Sequence, residues 1–324
     1  MRITASDRAA FEAQGYLHVR GLLDPDTDLT PLRNEYAGVV ERAAEDMLAR
    51  GVVTSGYEGL AFDERVARLF EASNGAFNAY LDIALPQRDV TLETPMHCGP
   101  AVFALLRHPK LLDAVEAFIG PEIYSNPTQH VRIKPPARYL ATNTRISSEV
   151  ATTVWHQDQG TVAPEADRTD MITVWVAVTA STRENGCLLV APGSHRRGLA
   201  VHCHDARANY SRQAIPDDRV GEERVALEAA PGDVIFLNKL TMHASLANRS
   251  DRVRWSLDLR YNPVGQPTGR PWFPGFVARS RANPAAELEH HGQWTALWER
   301  ARAKLAINPP TSFQRWAEDD PGCA

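Results

Sequence analysis

The chain is short of several features that would assign it quickly. Its 324 residues hold four cysteines, Cys98, Cys187, Cys203 and Cys323, with no CxxC pair and no regular spacing. That excludes a dense disulfide framework or a cysteine-built zinc site, and reduced thiols of a cytosolic protein are expected. No apolar run is long enough to span a bilayer, and the opening MRITASDRAAFEAQGY lacks the apolar stretch of a signal peptide. The expected location is cytoplasmic, without membrane contact. A charge excess is missing too. The net is −5, with no basic groove interleaved with aromatics, so nucleic acid is not an expected partner. Internal repeats and low-complexity tracts are absent, and the length suffices for a substantial core.

What is present is a chemically matched set of three residues. His156 and Asp158 stand two apart in Trp155-His156-Gln157-Asp158-Gln159, and His243 stands in Thr241-Met242-His243-Ala244-Ser245. On a strand, positions two apart share a face, so an imidazole and a carboxylate aim at one point while Gln157 turns away. A second imidazole from a later strand completes the set that covers one face of an octahedral metal and leaves the other open. Non-haem Fe(II) oxygenases carry this signature. His-x-Asp alone is weak, since most histidines are surface or satisfied core residues. The stretch after His243 strengthens it. Val253, Trp255, Leu257, Leu259 and Tyr261 alternate with Arg254, Ser256, Asp258 and Arg260, as in an antiparallel strand with one apolar and one polar face. A polar interior suits a small barrel that holds a charged co-substrate.

With these residues in place, the chain resembles the phytanoyl-CoA dioxygenase family of Fe(II)/2-oxoglutarate oxygenases. The resemblance rests on Trp155-His156-Gln157-Asp158 and on Glu184-Asn185-Gly186-Cys187-Leu188 running into Ala191-Pro192-Gly193-Ser194-His195. It continues with Pro231-Gly232-Asp233, His243-x-Ser245 and Arg254, and covers roughly positions 120 to 262. The N-terminal opening, Phe11 to Gly15-Tyr16 and then Gly21-Leu22-Leu23, is also similar to the family. It implies oxidation, foremost hydroxylation, of an unactivated C–H bond in a small metabolite, with natural-product biosynthesis as one setting. Fe(II), 2-oxoglutarate and O₂ are the implied cofactor and co-substrates, and 2-oxoglutarate ends as succinate and CO₂. Iron would take His156, Asp158 and His243. Arg254, a planar fork suited to a carboxylate, would anchor the far end of 2-oxoglutarate with help from Ser245, and Gln129 would donate a hydrogen bond to it. Related halogenases carry a small residue where this chain has Asp158, so hydroxylation, desaturation or ring formation is favoured over halogenation.

The expected architecture is mainly β with flanking helices, a double-stranded β-helix (jelly-roll, cupin-like) core behind an N-terminal helical layer. One domain is read over 1–324: helices to about 120, the core over about 121–262, and a C-terminal loop and helix over 263–324. Helical spacing predicts helices over 32–48, 62–81 and 110–119, after a first one capped by Ser6 and ended by Gly15. Strands are predicted over 124–134, 152–157, 171–179, 187–191, 233–238, 240–246 and 253–261, separated by turn residues such as Pro192-Gly193 and Pro231-Gly232. Loops over 60–78, 142–151, 160–170 and 265–276 are the candidate lids, with Arg145 in the second.

Blander readings stand beside these. Trp155 and Trp175 are wall and core residues first, with Trp175 also a candidate substrate contact. Arg132 and Lys134 read as a solvated strand face or, more sharply, as contacts to an acidic substrate group. His195 suits a turn. The cluster His202-Cys203-His204-Asp205 looks metal-like, yet adjacent side chains cannot all face one ion. His290-His291 suits a solvated helix face near Trp294 and Trp298. Two other functions remain open on residues alone: a cupin-like isomerase or hydrolase using another divalent metal, and a non-catalytic metabolite-binding relative. The first gives Arg254 no obvious task, and an intact triad with Arg254 argues against the second.

Overall fold

The computed structural model describes residues 2–140, 152–204, 213–310, 315–317 and 320–323. Helix α1 (Ala5–Gln14) is capped by Thr4, not Ser6. The Thr4 hydroxyl accepts from the Asp7 N–H while the Asp7 carboxylate accepts from the Thr4 N–H, a reciprocal box one turn deep. Gly15, at φ 79°, ends the helix as expected, its N–H bonding Phe11 O. Helix α2 (Thr30–Ala49) buries Leu32, Tyr36, Val39, Val40, Ala43, Ala44 and Met47. The span 62–81 is two helices rather than one, α3 (Phe62–Ala72) and α4 (Asn78–Leu81). Ser73 explains the break, because its hydroxyl bonds Leu69 O and accepts from the Phe77 N–H. Helix α5 (Pro100–Leu106) was not foreseen, whereas α6 (Pro109–Ile119) starts on its proline and stops at Gly120 as read. Helix α7 (His291–Ile307) buries Trp294 and Trp298 against Phe103, Phe273 and Phe276, and leaves His290 and His291 exposed.

The strands are β1 (Tyr16–Val19), β2 (Glu122–Ser125), β3 (His130–Lys134), β4 (Ile172–Ala177), β5 (Leu188–Val190), β6 (Cys203–His204), β7 (Gln213–Ala214), β8 (Val225–Leu227), β9 (Val234–Asn238), β10 (His243–Ser245), β11 (Arg254–Pro263) and β12 (Phe276–Ser280). A major antiparallel sheet runs β1-β9-β4-β11-β2-β12, with β3 also on β11; a minor one runs β10-β5-β8. Two expected strands changed. The span 124–134 breaks at Asn126-Pro127, where Asn126 gives its N–H to Arg260 O and its amide to Asn262. The span 152–157 forms no strand, only an isolated bridge from His156 to His243. The loop 142–151, with Arg145, lies outside the described residues.

The register of β11 sorts the molecule into layers. Trp255, Leu257 and Leu259 stand opposite Ile133 and Val131 on β3, or Val176 and Val174 on β4. Directly opposed residues share a face, and this face packs on the helical layer in one large core with Tyr36, Leu111 and Val115. The other face meets the minor sheet, where Trp175, Ala177, Ile235 and Leu237 pack on Leu188, Val190 and Leu227. The result is the expected two-sheet jelly roll with helices on one side.

Cys203 and Cys323 are joined in a disulfide across 120 positions, which overturns the expectation of four reduced thiols. The C-terminal segment folds back onto the paired strands β6 and β7 and brings the two Cα atoms to 5.4 Å, a proximity no spacing could reveal. Cys98 and Cys187 are free and buried. The cysteine argument for a reducing compartment falls with this pair. Among the described residues no helix is long and apolar enough to cross a membrane.

Leu257 is fully buried at the centre of this arrangement. Leu257→Ala is expected to lower unfolding stability by roughly 2–5 kcal/mol in urea titrations, from lost burial and the cavity left behind.

Candidate metal centre

His156 and His243 exchange both backbone hydrogen bonds, each N–H to the other's carbonyl at 3.0 Å. Such a pair places its side chains on one face, and the two ring centroids lie 4.2 Å apart. Each Nδ1 is within reach of a carbonyl two residues back, His156 of Val154 O at 2.8 Å and His243 of Thr241 O at 2.9 Å. With the proton on Nδ1, that contact leaves Nε2 as a free lone pair, the form a metal needs. Burial, with His243 beside it, holds the His156 imidazole well below its ordinary pKa and therefore neutral.

Asp158 starts a 3₁₀ turn, Asp158–Thr161, directly after the extended residue Gln157. Its Oδ1 lies 3.8 Å from His156 Nε2 and 3.9 Å from His243 Nε2. These three residues form the group able to hold a metal among the described residues. A hexacoordinate ion with bonds near 2.1 Å would set neighbouring ligand atoms about 3 Å apart, so the carboxylate oxygen and each imidazole need draw in by less than about 1 Å, and all three ligand atoms already lie within 4.8 Å of one another. The donor set, two neutral nitrogens and one carboxylate, fits a divalent iron ion.

Sequence reasoning missed what surrounds Asp158. Arg260 Nη2 donates to Oδ1 and the Thr173 hydroxyl donates to Oδ2. Arg260 and Thr173 are direct partners across β11 and β4. Burial alone would raise the carboxyl pKa, but the Arg260 guanidinium, with the Thr173 hydroxyl, holds it well below the usual carboxylate range. The polar alternation had marked Arg260 as inward-facing; only the sheet register reveals its partner.

The metal-bearing turn is held from several sides. Gln157, turned away as expected, donates its side-chain amide to Gly198 O and Leu240 O and accepts from the Ala200 N–H. His202 Nε2 accepts the Gln157 N–H at 2.9 Å, and its ring lies where a Cβ on Gly160 would sit, 2.2 Å away. Glycine is thus required at 160 by close approach. Trp316 stacks on His202 and donates to Gly160 O, and Arg270 donates to Thr161 O. His202 serves this turn, and Cys203 is spent in its disulfide; Asp205 lies outside the described residues.

A second polar group sits on the same inner face. Lys134 and Arg254 are opposed across β3 and β11, both almost wholly buried. Lys134 Nζ donates to Ser245 Oγ at 2.8 Å and to Leu246 O at 2.6 Å, and Arg254 Nη1 donates to Ser256 Oγ at 2.5 Å. Burial, then Arg254, push the Lys134 ammonium well below its usual pKa, and burial brings Arg254 down to about 10. The Arg254 guanidinium lies 5.7 Å from the Trp175 ring, and its Nε has no hydrogen-bond partner among the described residues. Arg132 spends Nε on Asp258 Oδ2 at 3.2 Å. Gln129 is buried beside β11, donating to Ser125 Oγ at 2.7 Å.

Burial pushes the His202 imidazole down to about 4. A histidine depressed in the folded state contributes stability that is complete above its unfolded pKa, near 6.5, and is lost as pH falls toward 4. Wild-type stability is expected to drop by about 3 kcal/mol from this group between those limits. In His202→Gln the acid limb of a stability-versus-pH profile, followed by urea unfolding, should flatten accordingly.

The model of the family described as "Phytanoyl-CoA dioxygenase (PhyH)" matches residues 11–256. The chain is 24% identical over 265 residues to the peroxisomal phytanoyl-CoA dioxygenase of Homo sapiens, covering 80% of this chain and 68% of that protein. It is 25% identical over 276 residues to the 1-deoxypentalenic acid 11-beta-hydroxylase of Streptomyces arenae, covering 81% and 83%. Among solved structures, the non-heme monooxygenase ThoJ in its apo form aligns with a TM-score of 0.52 at 20% identity, over 93% of this chain and 97% of that one. The shared fold agrees with the two-sheet core. The chain belongs to the phytanoyl-CoA dioxygenase family and is an oxygenase dependent on iron and 2-oxoglutarate.

Proposed function

We propose that the protein hydroxylates an unactivated C–H bond of a small metabolite, with His156, Asp158 and His243 as the Fe(II) ligands. The observation that carries this reading is the buried triad, in which two imidazoles present Nε2 beside one carboxylate oxygen. Iron with 2-oxoglutarate and O₂ supplies the C–H-oxidising chemistry, 2-oxoglutarate leaving as succinate and CO₂. The presence of Asp158 supports hydroxylation over halogenation.

Arg254 and Lys134 together would hold the far carboxylate of 2-oxoglutarate. Two buried cations whose hydrogen bonds go to hydroxyl and carbonyl oxygens carry charge that a carboxylate neutralises. Ser245, already on Lys134, can turn its own hydrogen to the same anion, and the Trp175 ring packs beside Arg254. Lys134 thus moves from substrate contact to co-substrate anchor. Arg132, paired with Asp258, stays a candidate contact at the mouth, and Gln129 a candidate donor. For the prime substrate, the relatives named for phytanoyl-CoA and for 1-deoxypentalenic acid support a small molecule bearing a carboxyl group or its CoA derivative. The whole chain would serve as one domain around this site.

Anaerobic titration of the metal-free protein with Fe(II) and 2-oxoglutarate should raise a weak visible charge-transfer band, and His243→Ala should abolish it. A band that persists in His243→Ala would remove the triad from the metal. Arg254→Met should weaken 2-oxoglutarate binding by about 2–5 kcal/mol with the prime-substrate KM little changed. Equal effects on both would move Arg254 out of the co-substrate pocket.

A further inference from the structure

We propose that Arg260 stands in for the metal: it is the counter-ion of Asp158 until an ion arrives, and its charge limits how tightly that ion is held. The inference rests on the triad reading above. Arg260 Nη2 donates to Asp158 Oδ1, the oxygen that lies 3.8 and 3.9 Å from the two imidazole Nε2 atoms. An incoming ion must use that same oxygen. Thr173 holds the other oxygen and keeps the carboxylate aimed while the exchange takes place.

Among the described residues Arg260 is the guanidinium in direct contact with this carboxylate. Asp158 is 1% exposed. A buried carboxylate without a paired cation is strongly destabilising. Arg260 has few other commitments. Its side chain is 7% exposed, Nη1 reaches Thr128 O only at 3.5 Å, and Nε has no hydrogen-bond partner among the described residues. The guanidinium is carried on a central strand opposite Thr173, not on a loop, so it stays close to the site after an ion has bound. There a fixed positive charge opposes a divalent cation at short range through a poorly screening interior. The same residue therefore stabilises the metal-free fold and weakens the metal complex, which leaves the ion exchangeable.

The test uses the whole chain described above, chelator-treated, with Co(II) as the probe, followed by its visible d–d absorbance and by thermal melting. Arg260→Met, apolar and of similar length, should melt several degrees lower without metal yet bind Co(II) about tenfold more tightly. Its Co(II)-induced rise in Tm should exceed that of wild type. Arg260→Lys, which keeps the charge, should return both quantities toward wild type. A side chain needed only for packing would lower Tm without tightening Co(II), and equal or weaker binding in Arg260→Met overturns the proposal. Should Arg260→Met fail to fold without metal, refolding with Co(II) must rescue it; failure to rescue also overturns the proposal. His243→Ala separates the two readings. If it binds Co(II) as wild type does, the triad assignment fails; if it loses binding while Arg260→Met gains none, only the stand-in role fails.

Discussion

One constraint organises the molecule, the two-residue period of β11 within an antiparallel register. Every second residue of Arg254–Pro263 faces the helices and every other one faces the minor sheet. A slip of one position would send Trp255, Leu257 and Leu259 into the polar interior and turn Arg254, Ser256, Asp258 and Arg260 toward the helical core. Pairing to β4 on one side and to β3 and β2 on the other leaves the strand no freedom to slip. The large apolar core that stabilises the fold is thus also what aims two arginines inward.

Those inward charges are costly, and the site is arranged around their compensation. Asp158 finds Arg260 and Thr173, Asp258 finds Arg132, and Lys134 reaches across the sandwich to Ser245. Breaking a buried pair by removing one partner is far more damaging than the pair is stabilising. Function and stability therefore pull in different directions here. The cations that would receive a dianionic co-substrate hold the protein in a state that binding would relieve.

The turn that carries Asp158 shows how a short irregular segment becomes rigid. Its backbone and flanking side chains are bonded to His202, Trp316, Arg270, Gly198 and Leu240, which come from widely separated parts of the chain. Such support from several elements holds ligand geometry better than a loop's own conformation can.

The triad, the polar face of β11 and the turn glycines were legible in the amino-acid order, because their signals are local: a two-residue spacing, a strict alternation, a residue type suited to positive φ. The family resemblance lay in the same short segments. What escaped was whatever depends on register between distant strands or on the path of the tail. That Arg260 opposes Thr173, and that Lys134 opposes Arg254, follows from which residues pair, and alternation fixes a face without fixing a partner. The Cys203–Cys323 bond and the part His202 plays under the metal turn likewise needed the chain folded back on itself. The sequence by itself determined which side chains could bind a metal and which face of β11 would be polar, whereas His156 and Asp158 come from an isolated bridge and a 3₁₀ turn, not from the strand their spacing suggested. Only the tertiary structure decided which buried charge would answer which, because electrostatic partners are set by distance in space.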